Sequence, residues 1–326
     1  MLRVGYPATL AAELLYDFPA EVQLIPLPDD LDHEIDIDVW IPDPYPTRAI
    51  RVWQYLRGVR LVLALMAGTE WIPGVVGPHV TISKARGAHN ISTAEWAISA
   101  ILASLKYLPF YFEVQRSGQW KRRFEAPDRY ARITGDTRAI YPPVMVEELT
   151  GKRVMLVGYG EIGKEIERML EPFHVELVRV ARTARAKSSG PRVHGVSELD
   201  SLLPQAEIVI LILPLTDESH HLIGNRQLAL MRQGTLLVNA GRGPIVDTDA
   251  LVDALNAGRI RAAIDVTDPE PLPEGHPLWG CPNLLLTPHL AGSSPRFAPR
   301  ALKTAADELR RFMNGESLLN MVHAAV

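Results

Sequence analysis

The stretch VMLVGYGEIGKEIERML, Val154–Leu170, decides the fold. A short apolar run leads into Gly158, Gly160 and Gly163, the G-x-G-x-x-G spacing, and apolar residues then return at helical intervals. Three spaced glycines alone are unspecific. Their position after a predicted strand and at the opening of an amphipathic helix is what gives them meaning. Gly158 would permit the tight turn, Gly160 would let the backbone approach a pyrophosphate, and Gly163 would let helix and strand pack closely. Tyr159, Glu161 and Ile162 complete the turn, and the first N–H groups of the helix favour a phosphate. The reading is a dinucleotide site; a plain strand-to-helix turn is the bland alternative.

About 20 residues further on, an NAD site carries an acid that accepts from the adenosine ribose hydroxyls. Here that position is Ala181, followed by Arg182, Thr183 and Arg185. A carboxylate would repel a 2′-phosphate, whereas two arginines invite one. NADP(H) is therefore expected to be preferred, with NAD(H) still admitted; the competing view is that these arginines are a solvated loop.

Outward from the glycine turn, apolar runs alternate with amphipathic stretches, the pattern of a parallel sheet covered by helices. Arg153–Val157, Glu176–Val180, Ile208–Leu213, Thr235–Asn239, Ala262–Asp265 and Asn283–Thr287 read as strands. The Ile208–Leu213 run is apolar at every position, as a strand covered on both faces should be. An earlier series reads as Leu2–Tyr6, Val22–Ile25, Ile35–Trp40, Arg60–Leu65 and Val80–Ser83. Helical spacing from Ser92 to about Phe112 predicts one long helix with its N-cap at Ser92 or Asn90. The polar segment Lys121–Thr150, with Pro142 and Pro143, reads as an extended arm.

A chain of 326 residues suggests two domains. A net charge of −4, from 34 basic and 38 acidic residues, gives no electrostatic reason to expect nucleic acid or an anionic membrane. The single cysteine, Cys281, excludes an intrachain disulfide and a cysteine metal site. The adjacent pair His220–His221 cannot chelate as an i, i+4 pair can, and no GxSxG elbow marks a serine hydrolase. The N-terminus lacks signal-peptide features and no apolar run is long enough to span a bilayer, so a cytoplasmic location is expected.

Three further segments complete the pattern: VNAGRGPIVD at Val238–Asp247, AIDVTDPEPL at Ala263–Leu272 and LLTPHLAG at Leu285–Gly292. With the glycine turn and the LPLT of Leu213–Thr216, they resemble the D-isomer-specific 2-hydroxyacid dehydrogenases, over roughly Leu61 to Gly292. The ordered set is far more specific than any one motif. The resemblance implies an α/β architecture of two doubly wound domains, a Rossmann NAD(P)-binding domain (93–292) inserted in a flavodoxin-like substrate domain (1–92 plus 293–326). It implies a cleft between them, a C-terminal helix that returns to the first domain, and a homodimer.

The resemblance also assigns roles. Arg242, of the N-x-x-R-G segment, would bind the acid of the substrate, since its planar fork pairs with a carboxylate. His289, of the T-P-H segment, would be the acid/base, and Glu270, of D-V-x-x-x-E-P, would orient the imidazole and favour its protonated form. Backbone N–H groups at Ala67 and Gly68 would meet the substrate carboxylate. Asp265 would hold the nicotinamide carboxamide. Thr93, Leu213, Pro214, Thr216, Ala240, Gly241 and Gly292 would line the cofactor, alongside Arg242 and His289. Read without the resemblance, each of Arg242, Glu270 and His289 is ambiguous; together they follow predicted strand ends, where a doubly wound sheet places its ligand crevice.

Departures concern the substrate. Trp96 stands where the family has a small or aliphatic residue, Glu70 where it often has Asp, and Trp53 and Trp71 could wall the pocket or belong to the core. The expected activity is reduction of a small 2-oxo acid of the glyoxylate or hydroxypyruvate type, a larger aromatic acid being the other choice. A corepressor-like protein that senses dinucleotide with the same fold is the alternative from another class. A phosphite-oxidising relative is disfavoured, because Ala67 stands where those enzymes carry lysine.

Overall fold

A computed structural model describes residues 1–66, 68–136, 146–185 and 191–322. The chain divides into two compact units, one formed by Met1–His89 with Ser293–Val326 and the other by Asn90–Gly292.

In the first unit, strands β1 (Leu2–Pro7), β2 (Val22–Leu27), β4 (Val39–Trp40), β6 (Leu61–Ala64) and β7 (Thr81–Lys84) form a parallel sheet in the order β2-β1-β4-β6-β7. Counted within the sheet this is the 2-1-3-4-5 order of flavodoxin-like folds. The expected single strand Ile35–Trp40 is two. β3 (Ile35–Asp36) pairs with β5 (Leu56–Arg57) in a small second sheet. The chain changes partner at Ile37 and Asp38, whose N–H groups donate to Arg57 and Arg3. The Phe297–Met313 helix lays Leu302, Ala305, Ala306 and Leu309 on Val4, Val39, Leu61 and Leu63. On the opposite face Trp40, Val62 and Ala64 pack with Ala49 and Val52. The Trp53 ring lies 5.2 Å from that of Trp40, tilted by 31°, and both Trp53 and Trp71 pack against this core.

The second unit holds a seven-stranded parallel sheet: β8 (Arg153–Val157), β9 (Glu176–Ala181), β10 (Val193–Gly195), β11 (Ile208–Leu211), β12 (Leu236–Asn239), β13 (Arg261–Ile264) and β14 (Leu284–Leu286). Their order is β10-β9-β8-β11-β12-β13-β14, the 3-2-1-4-5-6 Rossmann order with a seventh strand added. β11 shows why its sequence is apolar throughout. Ile208 and Ile210 face the core under the Asn90–Leu105 and Glu161–Leu170 helices, while Val209 and Leu211 face the core on the other side. All four are fully buried, each worth roughly 1.5–3 kcal/mol of transfer free energy.

Two expectations require correction here. The long helix breaks: Asn90–Leu105 is followed by Leu108–Ser117, bent by 61°. Tyr107 at the break is left-handed, with φ 51°, and Pro109 opens the second helix, which disfavours a continuous helical path through Leu108. Ser92 lies inside the first helix, and its hydroxyl donates to the Gly292 carbonyl. The described part of the 121–150 segment is not an extended arm. It forms the Ala126–Thr134 helix, with Ala126 and Ile133 buried, and its far end carries buried Glu147 and Leu149. Pro142 and Pro143 lie outside the described residues. Glu147 accepts from Tyr107 at 3.0 Å and Arg261 at 2.7 Å and pairs with Lys152 at 3.2 Å, so these charges are matched inside the unit. Among the described residues, no single helix is long and apolar enough to cross a membrane.

Candidate active site

Because the strands of the second sheet are parallel, all their C-terminal ends share one edge, and the loops that leave there carry the predicted site. The glycine turn follows β8, Arg182 follows β9, Leu213 follows β11, Ala240 follows β12, Asp265 follows β13, and His289 follows β14. Thr93 is buried in the first turn of the Asn90–Leu105 helix of the same unit. Gly68 follows β6 in the other unit, and Ala67 lies outside the described residues.

Arg242 is aimed by its own turn. Asn239, buried at the end of β12, accepts from the Gly241 N–H at 3.0 Å and donates to the Arg242 carbonyl at 3.0 Å. The Arg242 guanidinium donates back to the Gly241 carbonyl at 2.8 Å. Gly243 must be glycine, since a Cβ there would stand 1.8 Å from the Thr267 carbonyl oxygen. The loops after β12 and β13 are thus in backbone contact.

His289 adopts the left-handed conformation, φ 51°, which costs a non-glycine residue about 1–2 kcal/mol. Asp265 supplies what holds it. Its carbonyl accepts the His289 N–H at 2.7 Å, and its carboxylate, 2% exposed, accepts from Leu290 N at 2.9 Å, Ala291 N at 2.8 Å and the Thr287 hydroxyl at 2.6 Å. The imidazole Nδ1 meets the Glu270 carboxylate, and both side chains are partly exposed. An ionised carboxylate can only accept, so it selects the tautomer with hydrogen on Nδ1 and leaves Nε2 for another partner. The chain's ordering of Glu270 and His289 across 19 residues closes into a single contact.

The glycine turn fits a dinucleotide. Gly158 has φ 106°, and a Cβ there would lie 2.4 Å from the Ile212 carbonyl oxygen. A Cβ at Gly163 would lie 2.4 Å from the Gly158 carbonyl oxygen, so helix and strand pack only without it. At Gly160 a Cβ would meet nothing within 4 Å: the space beside this backbone is open. Gly160 caps the Glu161–Leu170 helix, whose first N–H groups have no intrahelical acceptor. Glu161 and Ile162 begin that helix. After β11, the Ser219 hydroxyl accepts from Thr216 N at 2.7 Å and donates to the Pro214 carbonyl at 2.8 Å, fixing the Leu213–Thr216 loop.

Residues 98–291 match the model of the D-isomer specific 2-hydroxyacid dehydrogenase NAD binding domain. A glyoxylate reductase from Aeropyrum pernix is 33% identical over 76% of this chain and 70% of the relative. A glyoxylate/hydroxypyruvate reductase B from Enterobacter sp. (strain 638) is 32% identical over 72% of this chain and 68% of the relative. The crystal structure of a D-isomer specific 2-hydroxyacid dehydrogenase from Xanthobacter autotrophicus Py2, in complex with NADPH and MES, superposes with a TM-score of 0.75 at 26% identity, covering 98% of each chain.

The chain belongs to the D-isomer specific 2-hydroxyacid dehydrogenase family. It is an NAD(P)-dependent oxidoreductase. In this dehydrogenase the motif arithmetic of the sequence overlooked the supports: Asn239 and Thr287 sit inside the quoted motifs, yet only the fold reveals that they aim Arg242 and clamp the His289 loop. It also overlooked β10, three residues long, which pairs with the end of β9. Among the described residues no cluster of His, Cys, Asp or Glu could hold a metal ion; His220 and His221 stack on each other at 4.0 Å.

Proposed function

We propose that this dehydrogenase reduces a small 2-oxo acid of the glyoxylate or hydroxypyruvate type, prefers NADPH, and uses His289 as acid/base. The observation that carries the reading is the His289–Glu270 contact, on the sheet edge that also bears Arg242 and the open glycine turn. The reduced nicotinamide supplies the hydride. Arg242 anchors the substrate carboxylate and polarises its carbonyl, His289 Nε2 donates the proton to the carbonyl oxygen, and Glu270 keeps the ring oriented through Nδ1. In the oxidative direction neutral His289 takes the hydroxyl proton. The curated relatives named for glyoxylate and hydroxypyruvate support the substrate class. Trp53 and Trp71, partly buried, pack against the core of the first unit, which favours the small acid over an aromatic one.

For the cofactor, Arg182, Thr183 and Arg185 are exposed after β9, with Ala181 where an acid would exclude a 2′-phosphate. The NADPH complex of the Xanthobacter relative supports the same choice. We also propose a homodimer, supported by the exposed Leu108, Phe112, Trp120 and Phe124 on packed elements of the second unit. Sedimentation of the purified chain at twice the monomer mass checks it.

The deciding experiment follows absorbance of reduced nicotinamide across a panel of 2-oxo acids, with NADPH and NADH in parallel. Turnover of glyoxylate or hydroxypyruvate with a preference for NADPH is the expected result. Absence of turnover with either cofactor across the panel would instead favour a dinucleotide-sensing, corepressor-like role.

A further inference from the structure

The second unit holds a cavity at the edge of its sheet opposite the one that carries the candidate active site. Arg261 opens β13 and Leu284 opens β14, and both line it. So do Ser104 and Phe110, from either side of the helix break at Tyr107, and Arg129 and Ile133 of the Ala126–Thr134 helix. Its volume is about 190 Å³. At about 30 Å³ for a liquid water, that is room for a small organic molecule. Phe110, Ile133 and Leu284 make much of the wall apolar, and small-molecule sites combine such walls with a few converging polar groups.

Arg261 supplies the first of these groups. Its side chain is only 7% exposed, Nε donates to the Gly234 carbonyl at 3.1 Å, and Nη1 donates to Glu147 at 2.7 Å. Nη2 has no hydrogen-bond partner among the described residues, yet it is not among the unpartnered nitrogens sealed from solvent. A buried guanidinium with spare N–H donors suits a carboxylate oxygen. Arg129 is the second. Its guanidinium lies 5.3 Å from the Phe110 ring centroid, and no hydrogen bond or ion pair ties it to a described residue. A ring face does not neutralise that charge. Two carboxylates limit the surplus. Glu147 is shared by Arg261, Tyr107 and Lys152, and the exposed Glu113 also stands on the lining. Two arginines set against them suit a singly charged anion better than a phosphate.

We propose that this cavity is a second ligand site, for a small monocarboxylate with a short apolar body, whose carboxylate is held by Arg261 and Arg129. The site is independent of the 2-oxo acid and NADPH readings, since none of its residues belongs to the candidate active site.

The chain's single cysteine reports on it, because Cys281 also lines the cavity. Burial pushes the Cys281 thiol up, which slows every alkylating reagent alike. Iodoacetate and iodoacetamide both alkylate a thiolate with loss of iodide, and only the first carries a carboxylate. The full-length protein is treated with each, glutathione serving as reference, and the labelled residue is read by peptide mass spectrometry. The iodoacetate-to-iodoacetamide rate ratio at Cys281 should exceed that of glutathione about tenfold, the scale of one charge-assisted contact. Labelling should saturate with iodoacetate, and butyrate should protect the thiol where 1-butanol and inorganic phosphate do not. Arg129→Gln should lower the ratio about fivefold and leave 2-oxo acid turnover unchanged. Arg261→Gln should abolish the preference; thermal melts identify misfolding, and the milder Arg129→Gln decides if Arg261→Gln does not fold. A ratio within about twofold of glutathione's, no labelling by either reagent, no protection by butyrate, or a ratio that Arg129→Gln leaves unchanged would overturn the site. Protection by phosphate equal to that by butyrate would overturn the monocarboxylate assignment. Each of these failures leaves the proposed dehydrogenase reaction standing.

Discussion

The loop that carries His289 and the loop that carries Arg185 leave the same edge of one sheet, and they are secured in opposite ways. His289 is fixed through its backbone: a buried carboxylate just after β13 gathers two amides and a hydroxyl from the residues around it. Arg185 is fixed through its side chain, out in solvent, on the face of an aromatic ring. Acid/base chemistry needs an atom placed to within a fraction of an ångström, and buried hydrogen bonds provide that. Choosing between two cofactors that differ by one phosphate needs only a charge in the right neighbourhood, which surface side chains provide and can exchange.

The contrast can be broken at the first loop by the change with the largest expected effect. His289→Ala should lower kcat roughly 10²- to 10⁴-fold in steady-state assays, and near-normal turnover would remove the residue from the mechanism. Next is Asp265→Ala, which leaves two amides and the Thr287 hydroxyl without their acceptor. It should lower unfolding free energy by about 2–4 kcal/mol in urea titration and reduce kcat in the protein that remains folded. An unchanged midpoint would mean that the loop is held by something else. Glu270→Gln should reduce kcat about tenfold with little change in stability, because the Glu270–His289 contact is partly exposed. A kcat equal to wild type would show that the imidazole needs no orienting partner. The mildest is Thr287→Val, with about 1 kcal/mol of stability lost, readable as a small fall in the urea midpoint.

The same contrast explains what the sequence made legible. Central strands such as Ile208–Leu211 are readable because they are short apolar runs whose alternate residues face two cores. Arg242, Glu270 and His289 are readable because their motifs are local. Their placement on one edge of the sheet depends on parallel strands whose loops leave on the same side. What escaped were features set by tertiary partners. The helix from Asn90 breaks at Tyr107, although its apolar spacing runs on to Phe112. The 121–134 segment is helical despite its polarity, because Ala126 and Ile133 are buried in a core against which Tyr130 also packs. The role of Asp265 also gains content: the acid expected to face the nicotinamide uses its carboxylate to hold the His289 loop. Arginines in a loop give no hint in sequence of which one an aromatic ring will hold.

The left-handed backbone at His289 has a consequence for how this enzyme could change over generations. On the proposed mechanism, one codon there answers to two selections, one on a proton donor and one on a rare chain conformation that asparagine and glycine accept more readily than other residues. His289→Asn would satisfy the second selection alone and should leave a folded, cofactor-binding, inactive protein. A lineage that abandoned catalysis for ligand sensing could therefore drift to asparagine or glycine here with little structural penalty, whereas one replacing His289 by lysine or glutamate would have to rebuild the loop first.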